Sequence, residues 1–144
     1  MNSPKFIKYV GDRQLYSVKD AEKYIQDKML PQSHSLGYSN YSLINKKNGA
    51  KIGICGLYDR EGLDGIDIGF GILPEYEGLG YAFESSSRII KAGFEELEIS
   101  EIKAITNKEN ISSQCLLVKL GFNLKGTIML ANENDELLLY KIEK

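Results

Sequence analysis

The sequence predicts an α/β fold of the α+β type, in which flanking helices cover a mixed, mostly antiparallel sheet. Three observations predict it. Several short segments alternate apolar and polar residues with the period of a strand, longer segments repeat apolar residues at helical spacing, and glycine-containing turn signals separate the two kinds of segment. Strands and helices that follow one another in this order form a mixed sheet with helices against it.

Length and charge limit the possible functions. The chain has 144 residues, so we expect a single domain over residues 1–144. Its 18 basic and 20 acidic residues give a formal net charge of -2, which argues against nucleic acid as a partner because a phosphate backbone requires a basic surface. No segment approaches the roughly 20 apolar residues of a membrane helix. We expect a soluble, cytoplasmic protein without a membrane partner.

The cysteines and the single histidine indicate no metal site. Cys55 and Cys115 are far apart in the sequence and have no ligand at metal-binding spacing, so we expect two reduced thiols, neither zinc-bound nor disulfide-bonded. Cys115 falls on a predicted helix, where we interpret it as a core residue. His34 falls in a polar segment, where we expect it to be solvated.

Three helical segments are predicted. Ser17 and Asp20 resemble a capping box, and apolar residues follow at helical spacing, so we expect a helix over residues 18–30. A long helix begins directly after a Gly-Leu-Gly sequence at 78–80. A third helix is expected near residues 112–120, where a glycine ends it.

Strand signals occupy most of the remaining chain. Residues 41–43 and 52–54 alternate at period two around a Lys-Asn-Gly turn signal, which indicates a hairpin. A third strand over residues 65–73 would complete an antiparallel meander, and its glycines indicate a bulge or a ligand against the backbone. Further strands are expected near residues 102–106, 122–130 and 137–142.

The segment 68–84, IGFGILPEYEGLGYAFE, joins the third strand to the long helix through a glycine-containing loop. Glycines allow a tight turn with exposed amide groups, and the helix dipole adds its positive end, so the loop could bind a phosphate group. A glycine pair before a helix is also a common turn or packing device, and these residues alone leave both interpretations open. The sequence contains neither the P-loop motif nor the dinucleotide-binding glycine motif.

A second segment, residues 106–122, makes the interpretation more specific. The pattern Pro-x-Tyr-x-Gly-x-Gly-Tyr-Ala-x-Glu, followed by Asn-x-x-Ser and Leu-Gly-Phe, resembles the acetyl-coenzyme A signature of GNAT N-acetyltransferases, especially the branch that acetylates ribosomal-protein N-termini. The resemblance covers roughly residues 38–142. It implies the GNAT acyl-CoA N-acyltransferase fold, acetyl-coenzyme A as cosubstrate without a metal, and a primary amine as acceptor.

The resemblance also implies roles for individual residues. The strand ending at Leu73 would pair its backbone with the pantetheine arm, and Asn110 would bind that arm from the other side. Ser113 would lie near the thioester sulfur and could protonate the leaving thiolate. The pyrophosphate would be held by the backbone amides of Gly78, Leu79, Gly80, Tyr81 and Ala82.

Asp67 is the candidate general base. Amine acetylation needs a neutral amine, and a carboxylate can remove the proton. The ribosomal-protein branch commonly has an acidic residue at this place, and strand alternation would put Asp67 beside the cofactor strand. The alternative is a solvated strand carboxylate.

Three residues near the loop depart from the family pattern. Glu75 stands where the superfamily often has Arg or Gln, Glu77 adds a second negative charge, and Leu79 replaces a frequent cation. Carboxylates close to a pyrophosphate weaken its binding unless they point into solvent. A coenzyme-binding module without turnover is therefore an alternative to the enzyme, and a protein that binds no coenzyme is a third.

The acceptor site and the assembly follow from the resemblance. We expect the N-terminal helices and the loops 31–40 and 131–136 to form the acceptor wall. The acidic residues of the second loop would suit a cationic amine. The resemblance implies that the chain begins one strand late, so that a strand near Tyr38 and Tyr41 lies at a sheet edge. A homodimer, or the N-terminal helices, would cover that edge.

Overall fold

The computed structural model describes residues 1–130 and 136–144. The helices are α1 (Pro4–Val10), α2 (Val18–Tyr24), α3 (Leu30–Leu36), α4 (Tyr81–Glu95) and α5 (Ile111–Lys119), with a π-helical turn at Ile25–Met29 and a 3-10 turn at Pro74–Tyr76. The strands are β1 (Asn40–Ile44), β2 (Lys51–Asp59), β3 (Ile66–Ile72), β4 (Glu101–Asn107), β5 (Asn123–Ile128) and β6 (Leu137–Glu143). These bounds confirm the predicted fold class.

Helix α2 begins at the predicted cap and continues further than predicted, whereas α1 was not among the predicted helices. The Ser17 amide donates to the Asp20 carboxylate at 2.8 Å, and the Asp20 amide donates to Ser17 Oγ at 3.1 Å, which confirms the capping box. The expected end at residue 30 was wrong, because the π-helical turn joins α2 to α3. Pro31 lies in the first turn of α3, where its missing N–H costs little. The helix ends at Gly37, whose φ is 78°.

The six strands form one sheet in the order β1-β2-β3-β4-β6-β5. The pairs β1–β2 and β2–β3 are antiparallel, so the predicted meander is confirmed. β3 and β4 run parallel and pair only through Ile66 with Ile102 and Asp67 with Lys103. Beyond these two pairs the strands diverge and leave a gap in the sheet.

Helix α4 packs closely against the sheet and contributes to the main core. A Cβ atom added to Gly93 would lie 3.0 Å from Ile102 Cδ1 and 3.2 Å from Leu57 Cδ1, so a larger residue would push the helix away from the strands. Buried residues from α4, α5 and the sheet complete this core. Cys115 is exposed, so its interpretation as a core residue was wrong.

β1 lies at one edge of the sheet, as expected. Tyr38, however, is buried in the main core and Ser39 is also buried, so neither offers area to a partner. Tyr41 is 46% exposed and is the tyrosine that this edge presents. None of the helices in the described part of the chain has the length and apolar character needed to cross a bilayer.

Candidate active site

A cleft of about 640 Å³ lies where β3 and β4 diverge. One wall comes from the end of β3, the loop after it and the first turn of α4. The opposite wall comes from α5 and its N-cap, and α1 forms a third side of the cleft. The residues that form the two main walls include Phe70, Gly71, Ile72, Gly78, Gly80, Tyr81, Ala82, Asn110, Ser113 and Lys119.

The glycine loop presents unblocked backbone at the start of α4. Gly78 and Gly80 have φ values of 73° and 86°, a region that other residues rarely adopt, and a Cβ built on either would have no neighbour within 4 Å. Gly80 is the N-cap of this 15-residue helix, and no described side chain caps it. The first amides of α4 therefore face the cleft together with the positive end of the helix dipole.

A hydrogen bond joins Asn110 and Ser113 at the start of α5. The Ser113 amide donates to Asn110 Oδ1 at 3.2 Å, so the asparagine is the N-cap of the helix. Both residues are half-buried and line the cleft opposite the glycine loop. The structure thus brings together Gly78, Gly80, Tyr81, Ala82 and this pair.

Two of the residues predicted to bind the cofactor have side chains outside the cleft lining. The Leu79 side chain is 64% exposed. Leu73 lines a second cavity of about 730 Å³, which adjoins the cleft. The roles expected of Leu73 and Leu79 involve their backbones, which continue the lining segments on either side of the 3-10 turn.

Helix α1 joins both walls through charges that the sequence analysis did not identify. Lys5 contacts the Glu77 carboxylate, and Lys8 Nζ lies 3.0 Å from the Glu109 carboxylate. The hydrogen bond from Lys8 to Glu109 raises the pKa of the lysine. Two of the departures from the family pattern are carboxylates beside the glycine loop. The charge of Glu77 is paired with a cationic partner, and Glu75 is exposed to solvent.

Lys119 is a further cation in the cleft. Its ammonium group lies 4.6 Å from the centre of the Phe83 ring, which anchors the side chain against the α4 wall. Lys119 shares a face of α5 with Ser112 and Leu116, so helical spacing could have identified it. The pairings of Lys5 and Lys8 had no such signal, since they depend on where α1 packs.

Asp67 is fully buried, so the alternative interpretation as a solvated strand carboxylate was wrong. Its Oδ2 accepts hydrogen bonds from Arg60 Nη2 at 2.9 Å and Nε at 3.1 Å. Its Oδ1 has no hydrogen-bond partner among the described residues. Burial raises the pKa of Asp67, and Arg60 offsets only part of that rise. The residue lies at the vertex where β3 meets β4, below the cleft lining.

Tyr58 faces Asp67 across the β2–β3 pair and connects it to the N-terminal half of the sheet. The Tyr58 hydroxyl donates to Asn40 Oδ1 at 2.7 Å. A Cβ added to Gly69 would lie 2.8 Å from Tyr58 Cε2, so this glycine makes room for the ring. Burial raises the pKa of Tyr58 far above its usual value. Sequence reasoning identified neither Tyr58 nor Arg60 as part of this cluster.

The structure shows no candidate metal centre in residues 1–130 and 136–144, where no three His, Cys, Asp or Glu side chains come together. Residues 131–135, which belong to the expected acidic loop of the acceptor wall, lie outside the described residues. The expected acceptor loop at 31–40 is for the most part helix α3.

Known proteins and a family model resemble this chain in sequence. A family model described as an acetyltransferase (GNAT) domain matches residues 1–123. The chain is 30% identical over 130 residues to the N-acetyltransferase p20 of Bacillus licheniformis, covering 88% of this chain and 71% of that protein. It is 37% identical over 62 residues to the N-acetyltransferase YoaA of Bacillus subtilis, but that match covers 43% of this chain and only 35% of YoaA.

Solved structures share the fold. An acetyltransferase from Agrobacterium tumefaciens superposes with a TM-score of 0.80 at 22% identity, covering 99% of this chain and 80% of that one. A spermidine N-acetyltransferase from Vibrio cholerae, in complex with CoA and spermine, superposes with a TM-score of 0.78 at 17% identity, covering 99% and 84%. The family model spans most of the chain and the same fold recurs in these structures, so the chain belongs to the GNAT family of acetyltransferases.

Proposed function

We propose that this protein transfers an acetyl group from acetyl-coenzyme A to a primary amine by direct attack. One observation carries the proposal: the uncapped N-terminus of α4, behind two glycines with positive φ, opens into the cleft between the diverging strands. Family membership supports acyl transfer to an amine in general. The glycine geometry adds the particular place where this chain would hold the coenzyme.

The residues of the cleft fit acetyl-coenzyme A. The amides of Gly78 to Ala82 would hold the pyrophosphate, and Lys119 would add a positive charge beside it. The free edge of β3 up to Leu73 would pair with the amide groups of the pantetheine arm, because β4 diverges from it there. Asn110 would contact the same arm from α5.

The reaction replaces the carbon–sulfur bond of the thioester with a carbon–nitrogen bond, and it requires two proton transfers. The amine nitrogen attacks the thioester carbonyl carbon, the carbon–sulfur bond breaks, and the thiolate leaves with the bonding electron pair. Ser113, which lines the cleft, would give that thiolate a proton from its hydroxyl group. Asp67 is our candidate for the group that accepts, through intervening water, the proton lost by the amine, since its Oδ1 has no hydrogen-bond partner among the described residues and burial raises its pKa.

A second candidate function is a coenzyme-binding module without turnover. The observation that favours it is the burial of Asp67 and its pairing with Arg60 below the cleft lining, which removes the candidate base from direct contact with the cleft. The glycine loop and the α5 wall are unaffected by this objection, so both functions include coenzyme binding.

Two measurements on the full chain test the proposal. Isothermal titration with acetyl-coenzyme A should show binding at one site, and release of free thiol should depend on an added amine from a panel of peptides, polyamines and small amines. Binding with no amine-dependent thiol release over the whole panel would favour the module. No binding would refute both functions.

A further inference from the structure

A second cavity adjoins the cleft. It has a volume of about 730 Å³ and lies between the N-terminal helices and the strands β1 to β3. Phe6, Gly71 and Ile72 line both spaces. The Phe6 ring lies against Gly71, where an added Cβ would be 3.4 Å from Cδ2 and Cε2 of the ring. One side chain of α1 therefore separates the cavity from the cleft over a strand that has no side chain at that position.

The cavity wall is predominantly apolar. The connection between α1 and α2 contributes Leu15, and the helical segments contribute Ala21, Tyr24, Ile25, Met29 and Leu30. On the sheet side, Ile54 packs against Gly71, where an added Cβ would lie 3.5 Å from Ile54 Cγ1. The volume falls within the range of about 300 to 1,000 Å³ that is usual for small-molecule sites.

The charge of the wall is unfavourable for a polycation. Among the described residues that line the cavity, Lys51 is the one charged side chain, and it is positive. A second ammonium group would lose its water here without gaining a carboxylate, and it would be repelled by Lys51. An alkyl or aryl group would instead gain the transfer free energy of the apolar wall, which amounts to about fourfold in affinity per buried methylene.

We propose that this cavity is the acceptor pocket, and that it selects a primary amine whose substituent is apolar over a polyamine. The apolar group occupies the space between the helices and β2, and the amino group points to the Phe6–Gly71 boundary with the cleft. This inference rests on the proposed acetyl transfer, and it assigns to the acceptor a class that family membership does not specify.

The test compares amines and one pair of matched variants. Thiol release is measured with phenethylamine, n-hexylamine, spermidine and the dipeptide amide leucyl-glycinamide (Leu-Gly amide) at saturating acetyl-coenzyme A. Leu30→Glu places a carboxylate in the cavity wall, whereas Leu36→Glu makes the same change on the same helix outside it. The two leucines are similarly exposed, at 41% and 39%, so both variants should fold, as thermal melting will show.

We expect the parent to have kcat/KM for phenethylamine or n-hexylamine at least tenfold above that for spermidine. Leu30→Glu should lower the ratio of apolar to polyamine kcat/KM at least fivefold, and Leu36→Glu should leave it unchanged. Acetylation of the Leu-Gly amide, but not of phenethylamine or n-hexylamine, would identify a peptide N-terminus as the source of the apolar amine. Preference of the parent for spermidine, or equal effects of the two variants, would overturn the assignment.

Direct binding separates this inference from the proposed function. Isothermal titration of n-hexylamine into the protein saturated with coenzyme A needs no turnover. Binding that Leu30→Glu weakens at least fivefold would support the pocket even if no amine were acetylated, in which case the catalytic proposal alone would fail. Absence of binding of n-hexylamine, phenethylamine and the Leu-Gly amide to the parent, with coenzyme A bound normally, would refute the pocket.

Discussion

The substitution Gly80→Asp tests the coenzyme site most directly. Gly80 is the N-cap of α4 at φ 86°, and an added Cβ meets no atom within 4 Å, so the new carboxylate would enter open space at the proposed pyrophosphate position. Two like charges about 5 Å apart repel by about 1 kcal/mol in water-like surroundings and about 3 kcal/mol at an effective dielectric constant near 20. The pyrophosphate carries about two charges, so we expect the Kd for acetyl-coenzyme A to rise at least about tenfold.

Two control substitutions separate charge from backbone strain. Gly80→Ala forces a side chain into the same left-handed conformation without adding charge, and it should change the Kd much less. Gly37→Asp adds both charge and strain at the C-cap of α3, at φ 78° with equally open surroundings, and this glycine lies outside the cleft lining. Isothermal titration of the three variants is the assay. Parent-like affinity in Gly80→Asp, or an equal loss in Gly37→Asp, would refute the placement of the pyrophosphate.

Four further predictions concern the remaining site and the sheet edge. Ser113→Ala should lower kcat by about 100 to 10,000-fold if its hydroxyl protonates the thiolate, and an unchanged kcat would remove it from the mechanism. Asn110→Ala should destabilise the fold by about 1 kcal/mol through loss of the α5 N-cap and raise the KM for acetyl-coenzyme A; melting and kinetics test both. Burial favours the protonated form of Asp67 and so stabilises the folded parent relative to the unfolded chain at low pH. This contribution is lost as the pH rises from 3.8, the ordinary pKa, through the raised pKa of the folded state. Asp67→Asn should lack that slope in pH-dependent unfolding and the rising limb of the pH–rate profile; a parent-like rate profile would exclude Asp67 as base. We propose a homodimer through β1, which sedimentation at micromolar concentration should detect and Tyr41→Lys should dissociate; a monomeric parent would refute it.

Local signals predicted every strand and all the helices except α1 and α3, because most elements depend on residues close together in the chain. Ser17 and Asp20 form the capping box through their own backbone amides, and the Lys-Asn-Gly turn joins strands that are neighbours in sequence. The helix predicted at residues 18–30 was ended too early. A proline such as Pro31 can end a helix or lie in the first turn of the next helical segment, and the sequence does not distinguish the two. Only the continuous backbone through the π-helical turn decided between these outcomes.

The sequence by itself determined the phosphate-binding part of the proposed site. Positive φ values at Gly78 and Gly80, and an uncapped helix start behind them, are local consequences of glycine followed by an amphipathic segment. The Asn-x-x-Ser cap of α5 is likewise local. These features do not depend on which parts of the chain pack nearby, so the motif is sufficient to predict them, although the N-cap role of Asn110 was not among the predictions.

Only the tertiary structure decided the electrostatics and the shape around that loop. Glu77 pairs with Lys5, which is far away in the sequence, and Asp67 pairs with Arg60 on the adjoining loop. The burial of Asp67 depends on the sheet as a whole. The boundary between the two cavities is a contact between Phe6 and Gly71. Charge pairing, desolvation and cavity shape depend on distances between segments that are remote in sequence, and no local pattern encodes those distances.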